Sequence, residues 1–156
     1  MKAIEINGQI KTYNTLPQSW GNVLGGFNLL SDEELKSYGF YNISIPDYDS
    51  RVSNASDLFF DSSTETFTKT ITSKTWDETV DELKQNKINS FNALIKSKLQ
   101  ETDWYIVRNQ ETGDAIPSDI TTARQDLRNQ STNVENQINA LTTKEEVVSF
   151  DLPNVE

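Results

Sequence analysis

Residues 101–128 read ETDWYIVRNQETGDAIPSDITTARQDLR and lie between two long stretches whose apolar residues recur every three or four positions. That spacing sets the apolar residues on one face of an α-helix. Gly113 and Pro117 punctuate the middle; glycine commonly ends a helix and proline opens one. The stretch therefore predicts a turn around Trp104 and Tyr105, a Gly/Pro connector, and two helices folded back on each other. Such a pair offers a surface for partners rather than a reaction centre.

Upstream, the first helix is expected from Trp76 to about Leu99, with Thr75 as its cap. Its stripe is Val80, Leu83, Ile88, Phe91, Leu94, Ile95 and Leu99. Asp77, Glu78, Asp81 and Glu82 fall where the helix dipole favours negative charge, and Lys96 and Lys98 where it favours positive charge. Downstream, the second helix is expected from Ser118 to Leu141, entered through Pro117. Its stripe of Ile120, Ala123, Leu127, Val134, Ile138 and Leu141 is narrow, with Asn133, Asn136 and Asn139 beside it. Narrow seams suit two- or three-helix packing. Thr143 and Glu146 spell a capping box that opens a short helix. The tail 149–156, SFDLPNVE, reads as extended, with Phe150, Leu152 and Val155 as its apolar residues.

Before Thr75 the pattern is that of strands. Residues 2–13 place two β-prone runs around Asn7-Gly8, the signature of a type I′ hairpin turn. A short helix is expected to start at Pro17 and to break at Gly21, Gly25 and Gly26. Ser31 and Glu34 form another capping box, and Gly39 lies near the end of its helix. Phe40–Ile45 reads as a strand stopped by Pro46. A second hairpin joins 57–60 to 65–73 through Asp61-Ser62-Ser63-Thr64, with Phe67 and Ile71 on one face. The fold class is α+β: a small β-rich domain of hairpins (1–75), then a two-helix antiparallel hairpin with an extended tail (76–156).

The chain has 156 residues, 35% of them hydrophobic, and a formal net charge of -10. Six basic and nine acidic residues precede Trp76, leaving eight and fifteen beyond it, so the acidity concentrates in the helical half. Such a surface repels phosphate and anionic membranes, and neither nucleic acid nor membrane is an expected partner. Cysteine and histidine are both absent, which removes thiolate chemistry, the commonest general base and the commonest transition-metal ligand. No cofactor is expected. No apolar run reaches the length of a bilayer span. The opening MKAIEINGQIK lacks the apolar core of a secretory signal, so synthesis in a cytoplasm is expected.

Candidate chemical motifs are weak. Asp47-Tyr48-Asp49-Ser50 has the start of a calcium loop but lacks glycine at the sixth position and glutamate at the twelfth; an acidic turn after Pro46 explains it better. The carboxylates from Asp77 to Glu82 share one helix face, whereas a glycosidase sets two across a cleft. No phosphate-binding glycine motif is present. Asn42, Asn54 and Asn129 fit the glycosylation pattern by chance in a chain rich in Asn and Ser.

The residues read as contact makers are Trp104, Tyr105, Arg124, Arg128, Phe150 and Leu152. Arg124 and Arg128 are four apart and share a helix face. Their expected role is salt bridging to the acidic first helix, with docking to a partner as the alternative. Trp104 is expected to pack across the open end of the pair; the alternative is an exposed interface anchor, since Trp, Tyr and Arg dominate binding hot spots.

Thr102-Asp103-Trp104, then Ala115-Ile116-Pro117, then Arg124-Gln125, Leu127 and Arg128 together resemble the C-terminal module of phage tail and tail-fibre assembly proteins, the tail assembly chaperone family. The resemblance covers roughly residues 86–141. The tail departs from it: related modules often end in a Trp-Pro segment, and this chain ends FDLPNVE. The resemblance implies a non-enzymatic structural protein of the virion tail or tail fibres, made in the host bacterial cytoplasm, with other tail or fibre proteins as partners. A transient tail-fibre assembly chaperone is the alternative, and a polysaccharide or cell-wall hydrolase working through carboxylates alone is a third reading. Homo-oligomer formation is left open.

Overall fold

The computed structural model describes residues 1–155. The chain divides into two compact units, Met1–Lys74 and a second from Thr75 onward. It is a mixed α/β protein, with the strands in the first unit and the long helices in the second.

Strands β1 (Lys2–Ile6) and β2 (Gln9–Tyr13) form the expected hairpin, with Ile6 opposite Gln9. Asn7 and Gly8 sit at φ 53° and 75°, the left-handed pair that a type I′ turn demands and that asparagine and glycine tolerate best. No helix forms at Pro17. The 14–26 segment turns instead, with backbone bonds between Trp20 and Val23, and ends in a 3₁₀ turn at Phe27–Leu29. The glycines leave this stretch too little helical propensity, and its apolar rings are drawn inward. Helix α1 (Asp32–Ser37) starts at the Ser31/Glu34 capping box, as read.

Strand β3 (Tyr41–Ile43) pairs antiparallel with β1 and parallel with β6 (Thr66–Thr68). β6 also pairs antiparallel with β5 (Phe59–Asp61), giving a five-stranded sheet in the order β2-β1-β3-β6-β5. The expected long strand 65–73 is two strands. After β6 the chain leaves the sheet, and β7 (Ile71–Ser73) pairs with β4 (Ser53–Ala55) as a separate ribbon. Phe67 is fully buried and Ile71 only partly so, so the two do not share a sheet face. Ile4, Phe27, Leu35 and Phe40 form the core of this unit, with Tyr13, Trp20 and Tyr38 packed around it. Phe40 meets Phe27 at 5.2 Å and Trp20 at 4.9 Å between ring centroids, edge to face. Asp32 at the start of α1 accepts from Lys2 at 2.8 Å and Asn42 at 2.9 Å, tying the helix to β1 and to β3.

The second unit holds four helices, α2 (Val80–Gln100), α3 (Asp103–Thr112), α4 (Ser118–Ala140) and α5 (Lys144–Ser149), followed by an extended segment at 150–155, as read. Helix α2 begins four residues later than expected. Thr79, not Thr75, is its cap, in a reciprocal box with Glu82. Thr75 and Glu78 carry the same spacing, but the Trp76 carbonyl is committed elsewhere: it accepts from Lys144 Nζ at 2.8 Å.

Helices α2 and α4 run antiparallel. Lys84 Nζ donates to the Asn139 carbonyl, Ser131 Oγ to Asn92 Oδ1, and Arg124 Nη1 to the Leu99 carbonyl. As one partner climbs from 84 to 92 to 99, the other falls from 139 to 131 to 124, in equal steps. Between these polar links lie Ile88, Phe91, Ile95, Val134 and Ile138, all buried. This is not a simple two-helix hairpin, because α3 occupies the segment read as a turn. Two stripe positions also differ. Leu94 is 52% exposed, and Ala123 is exposed while its neighbour Arg124 is buried. The seam of α4 steps through Ile120, Arg124, Leu127, Ser131, Val134, Ile138 and Leu141, alternating fours and threes. Its two polar members fall outside a search for apolar residues alone.

Candidate protein-interaction site

Arg124 is the pivot of the region. Its side chain is 9% exposed and reaches from α4 to the junction of α2 and α3. Nη1 donates to the Leu99 carbonyl and to Thr102 Oγ1, both at 2.6 Å, and Nη2 donates to Asp103 Oδ1 at 2.9 Å. The guanidinium thus caps a carbonyl at the C-terminal end of α2, where helices leave carbonyls unpaired and favour cations. Its salt bridge is to Asp103 at the start of α3, not to the carboxylates at the N-terminal end of the first helix. Arg128, expected to share this role, is exposed; its Nη1 donates at 3.4 Å to the Arg124 carbonyl.

Trp104 lies just past this junction and is 51% exposed. It does not seal the open end of the helix pair. Its ring lies 3.7 Å from that of Tyr105, and the Arg108 guanidinium sits 5.1 Å from the Trp104 ring centre and 5.8 Å from that of Tyr105. Arg108 is one helical turn on from Trp104, so the two share a face of α3. Val107 on the same helix is 53% exposed. None of the α3 residues is buried. Gly113 ends the helix at φ 77°, and its N–H donates to the Asn109 carbonyl. The Trp104/Arg108 spacing and Gly113 are the two sequence signals that mark α3 as a helix rather than a turn.

Phe150 and Leu152, expected as partner contacts, pack with Val155 against the Ile88–Ile138 cluster of their own unit and are half-buried. Lys87 secures this arrangement. Its ammonium donates to the carbonyls of Val147 at 2.6 Å, Val148 at 3.0 Å and Phe150 at 2.6 Å, at the end of α5. It also lies 5.9 Å from the Phe150 ring centre. Sequence patterning gave Lys87 no role, because a lysine beside an apolar stripe reads as solvated.

The carboxylates with displaced titration serve structure. Hydrogen bonds from Ser31 hold Glu34 below the ordinary glutamate value, and those from Thr79 and from Thr142 do the same for Glu82 and Glu146. In the 47–50 turn, Asp49 accepts from the Arg51 side chain and backbone, which lowers its pKa. Among the described residues no cluster of three acidic groups could hold a metal ion, and no helix is long and apolar enough to cross a membrane. The arrangement can clamp two helices together and present an aromatic–arginine stack to another protein. No protein-family model matches the chain, and no curated protein or solved structure matches it either.

Proposed function

We propose that the protein is a non-enzymatic component of a bacteriophage tail or tail fibre that works through protein–protein contacts. One observation carries this reading. The two separated motifs of the resemblance, Thr102-Asp103-Trp104 and Arg124 to Arg128, meet in a single contact, where Arg124 holds Thr102 and Asp103. The residues that carry the resemblance thus sit in one structural unit, and this supports reading them together. That contact holds the start of α3, and α3 presents Trp104 and Val107 outward, with the half-buried Arg108 stacked on the Trp104 ring. Exposed Trp and Arg are the residue types that anchor interfaces.

Mass spectrometry of purified particles tests the assignment. The chain is expected among the virion proteins. Its presence with immature fibres only, and never in finished particles, would replace the structural role with transient assembly assistance. Trp104→Ala is expected to weaken attachment to the particle while leaving the melting temperature of the isolated protein within a few degrees.

A further inference from the structure

Helix α2 has a second face, turned away from α4. Asn86, Ser90, Ala93, Leu94 and Ser97 lie on it at helical spacing, and all five are exposed. Toward its N-terminal end this face holds an open cavity of about 340 Å³, lined by Leu83, Asn86, Lys87 and Ser90 of α2 and walled by Val148 and Leu152. An apolar space of about 150 Å³ already holds a benzene molecule, so this one has room for a leucine side chain. Lys87 brings only its stem, because its ammonium is turned onto the carbonyls of Val147, Val148 and Phe150. Leu83, Asn86, Lys87 and Ser90 stand at i, i+3, i+4 and i+7, the four positions that form a hole for a knob from a facing helix. Leu94 continues the same line, four residues beyond Ser90 and seven beyond Lys87. It is exposed and is not among the side chains that pack on the unit's buried cluster. One helix face therefore carries both a hole and an unburied knob.

We propose that this face pairs with the same face of a second copy of the chain, α2 against α2 in antiparallel, each Leu94 seated in the cavity of the other copy. A two-fold contact requires a self-complementary surface, and the knob and hole on one line of α2 supply it. The hole is centred at Asn86 and Lys87, so the midpoint between it and Leu94 is Ser90, which the axis must pass. Serine there, with Ala93 and Ser97 beyond it, lets two backbones approach closely. Charge favours the same occupant. The chain has a net charge of -10, which sets copies apart in general, yet Asn86, Ser90, Ala93, Leu94 and Ser97 carry none of it. Antiparallel pairing about Ser90 also lays the acidic first turn of α2, with Asp81 and Glu82, beside the end that carries Lys96 and Lys98 in the other copy. One helix from each copy makes a contact at the small end of stable interfaces, so the dimer is concentration-dependent. The assignment stands on this geometry and does not rest on the phage reading.

The test is sedimentation equilibrium of the full chain over a concentration series reaching the millimolar range. A monomer–dimer equilibrium is expected, and Leu94→Asp is expected to weaken it at least roughly a hundredfold, since the two-fold axis removes two knobs at once. Leu94 lies outside the buried cluster, so the variant should keep the helix content of the unaltered chain by circular dichroism. A monomer at every concentration, an assembly larger than a dimer, or a folded Leu94→Asp chain that dimerises as well as the unaltered one overturns the proposal. Should Leu94→Asp fail to fold, a disulfide trap decides, and the absence of cysteine from the chain makes it clean. A disulfide needs Cα atoms within about 7 Å, which the axis residue meets. Ser90→Cys is expected to form a covalent dimer under mild oxidation well ahead of Gln125→Cys, an exposed site on α4. Equal rates at the two positions overturn the pairing.

Discussion

At the scale of single residues, Arg124 shows how a charged side chain can serve as core. Its donors reach a helix-end carbonyl, a hydroxyl and a carboxylate, and removing it loses all three bonds at once, although the Leu99 carbonyl keeps its bonds from the Thr102 N–H and Oγ1. Hydrogen bonds to a charged group contribute about 1.5–3 kcal/mol each to stability; Asp103 regains water on loss of its partner, so Arg124→Ala is expected to cost about 2–4 kcal/mol by urea denaturation. Arg124→Lys recovers only part of this, since an ammonium cannot span the same fork. Leu94 and Ile95 make the opposite comparison. Leu94 is 52% exposed and Ile95 is 5% exposed. Leu94→Asp is expected to shift stability by less than about 0.5 kcal/mol, whereas Ile95→Asp buries an unpaired charge and abolishes cooperative unfolding of the helical unit. Both leucine and isoleucine fit the apolar stripe by spacing, so the sequence could not separate them. Which of two adjacent apolar residues turns inward depends on where the partner helix lies.

At the scale of elements, the helix starts were the most legible feature. Ser31/Glu34 and Thr143/Glu146 cap their helices as their spacing demands, because the box is a purely local exchange of hydrogen bonds. The start of α2 lies at Thr79 rather than Thr75: two threonines four residues apart carry the same spacing, and the Trp76 carbonyl accepts from the distant Lys144. Helix α3 is fainter in the sequence: it has no buried face, so beyond the Trp104/Arg108 spacing and Gly113 it leaves no apolar stripe to detect. The three box glutamates also set a pH dependence. Each is held below the ordinary value of 4.5 by bonds to its carboxylate form, so the folded chain binds that form more tightly than the unfolded chain does. The resulting stability is complete above pH 4.5 and is lost as pH falls through the lower folded-state values. Urea midpoints are expected to be lower at pH 3 than at pH 6, and Glu82→Gln is expected to flatten that slope.

At the scale of the whole molecule, each unit has its own buried cluster: Ile4, Phe27, Leu35 and Phe40 in the first, and Ile88, Phe91, Ile95, Val134 and Ile138 in the second. Residues 1–74 and 75–156, expressed separately, are each expected to give a cooperative thermal transition by circular dichroism. The change from alternating to helical spacing near Thr75 made this division visible in the sequence, since both periods are written residue by residue. The parallel pairing of β3 with β6 was not visible, because it joins segments more than twenty residues apart and no local rule selects that partner. The equal-step links between α2 and α4 carry a mechanical corollary. The chain enters and leaves this antiparallel pair at the same end, beside Lys84 and Asn139. Once α5 and residues 150–155 have been drawn off α2 and α4, tension on the chain peels the pair open from there, one link after another, and the Arg124 fork, farthest from the load, gives way last. In an optical trap the final resistance before full extension should vanish in Arg124→Ala while the first yielding step persists.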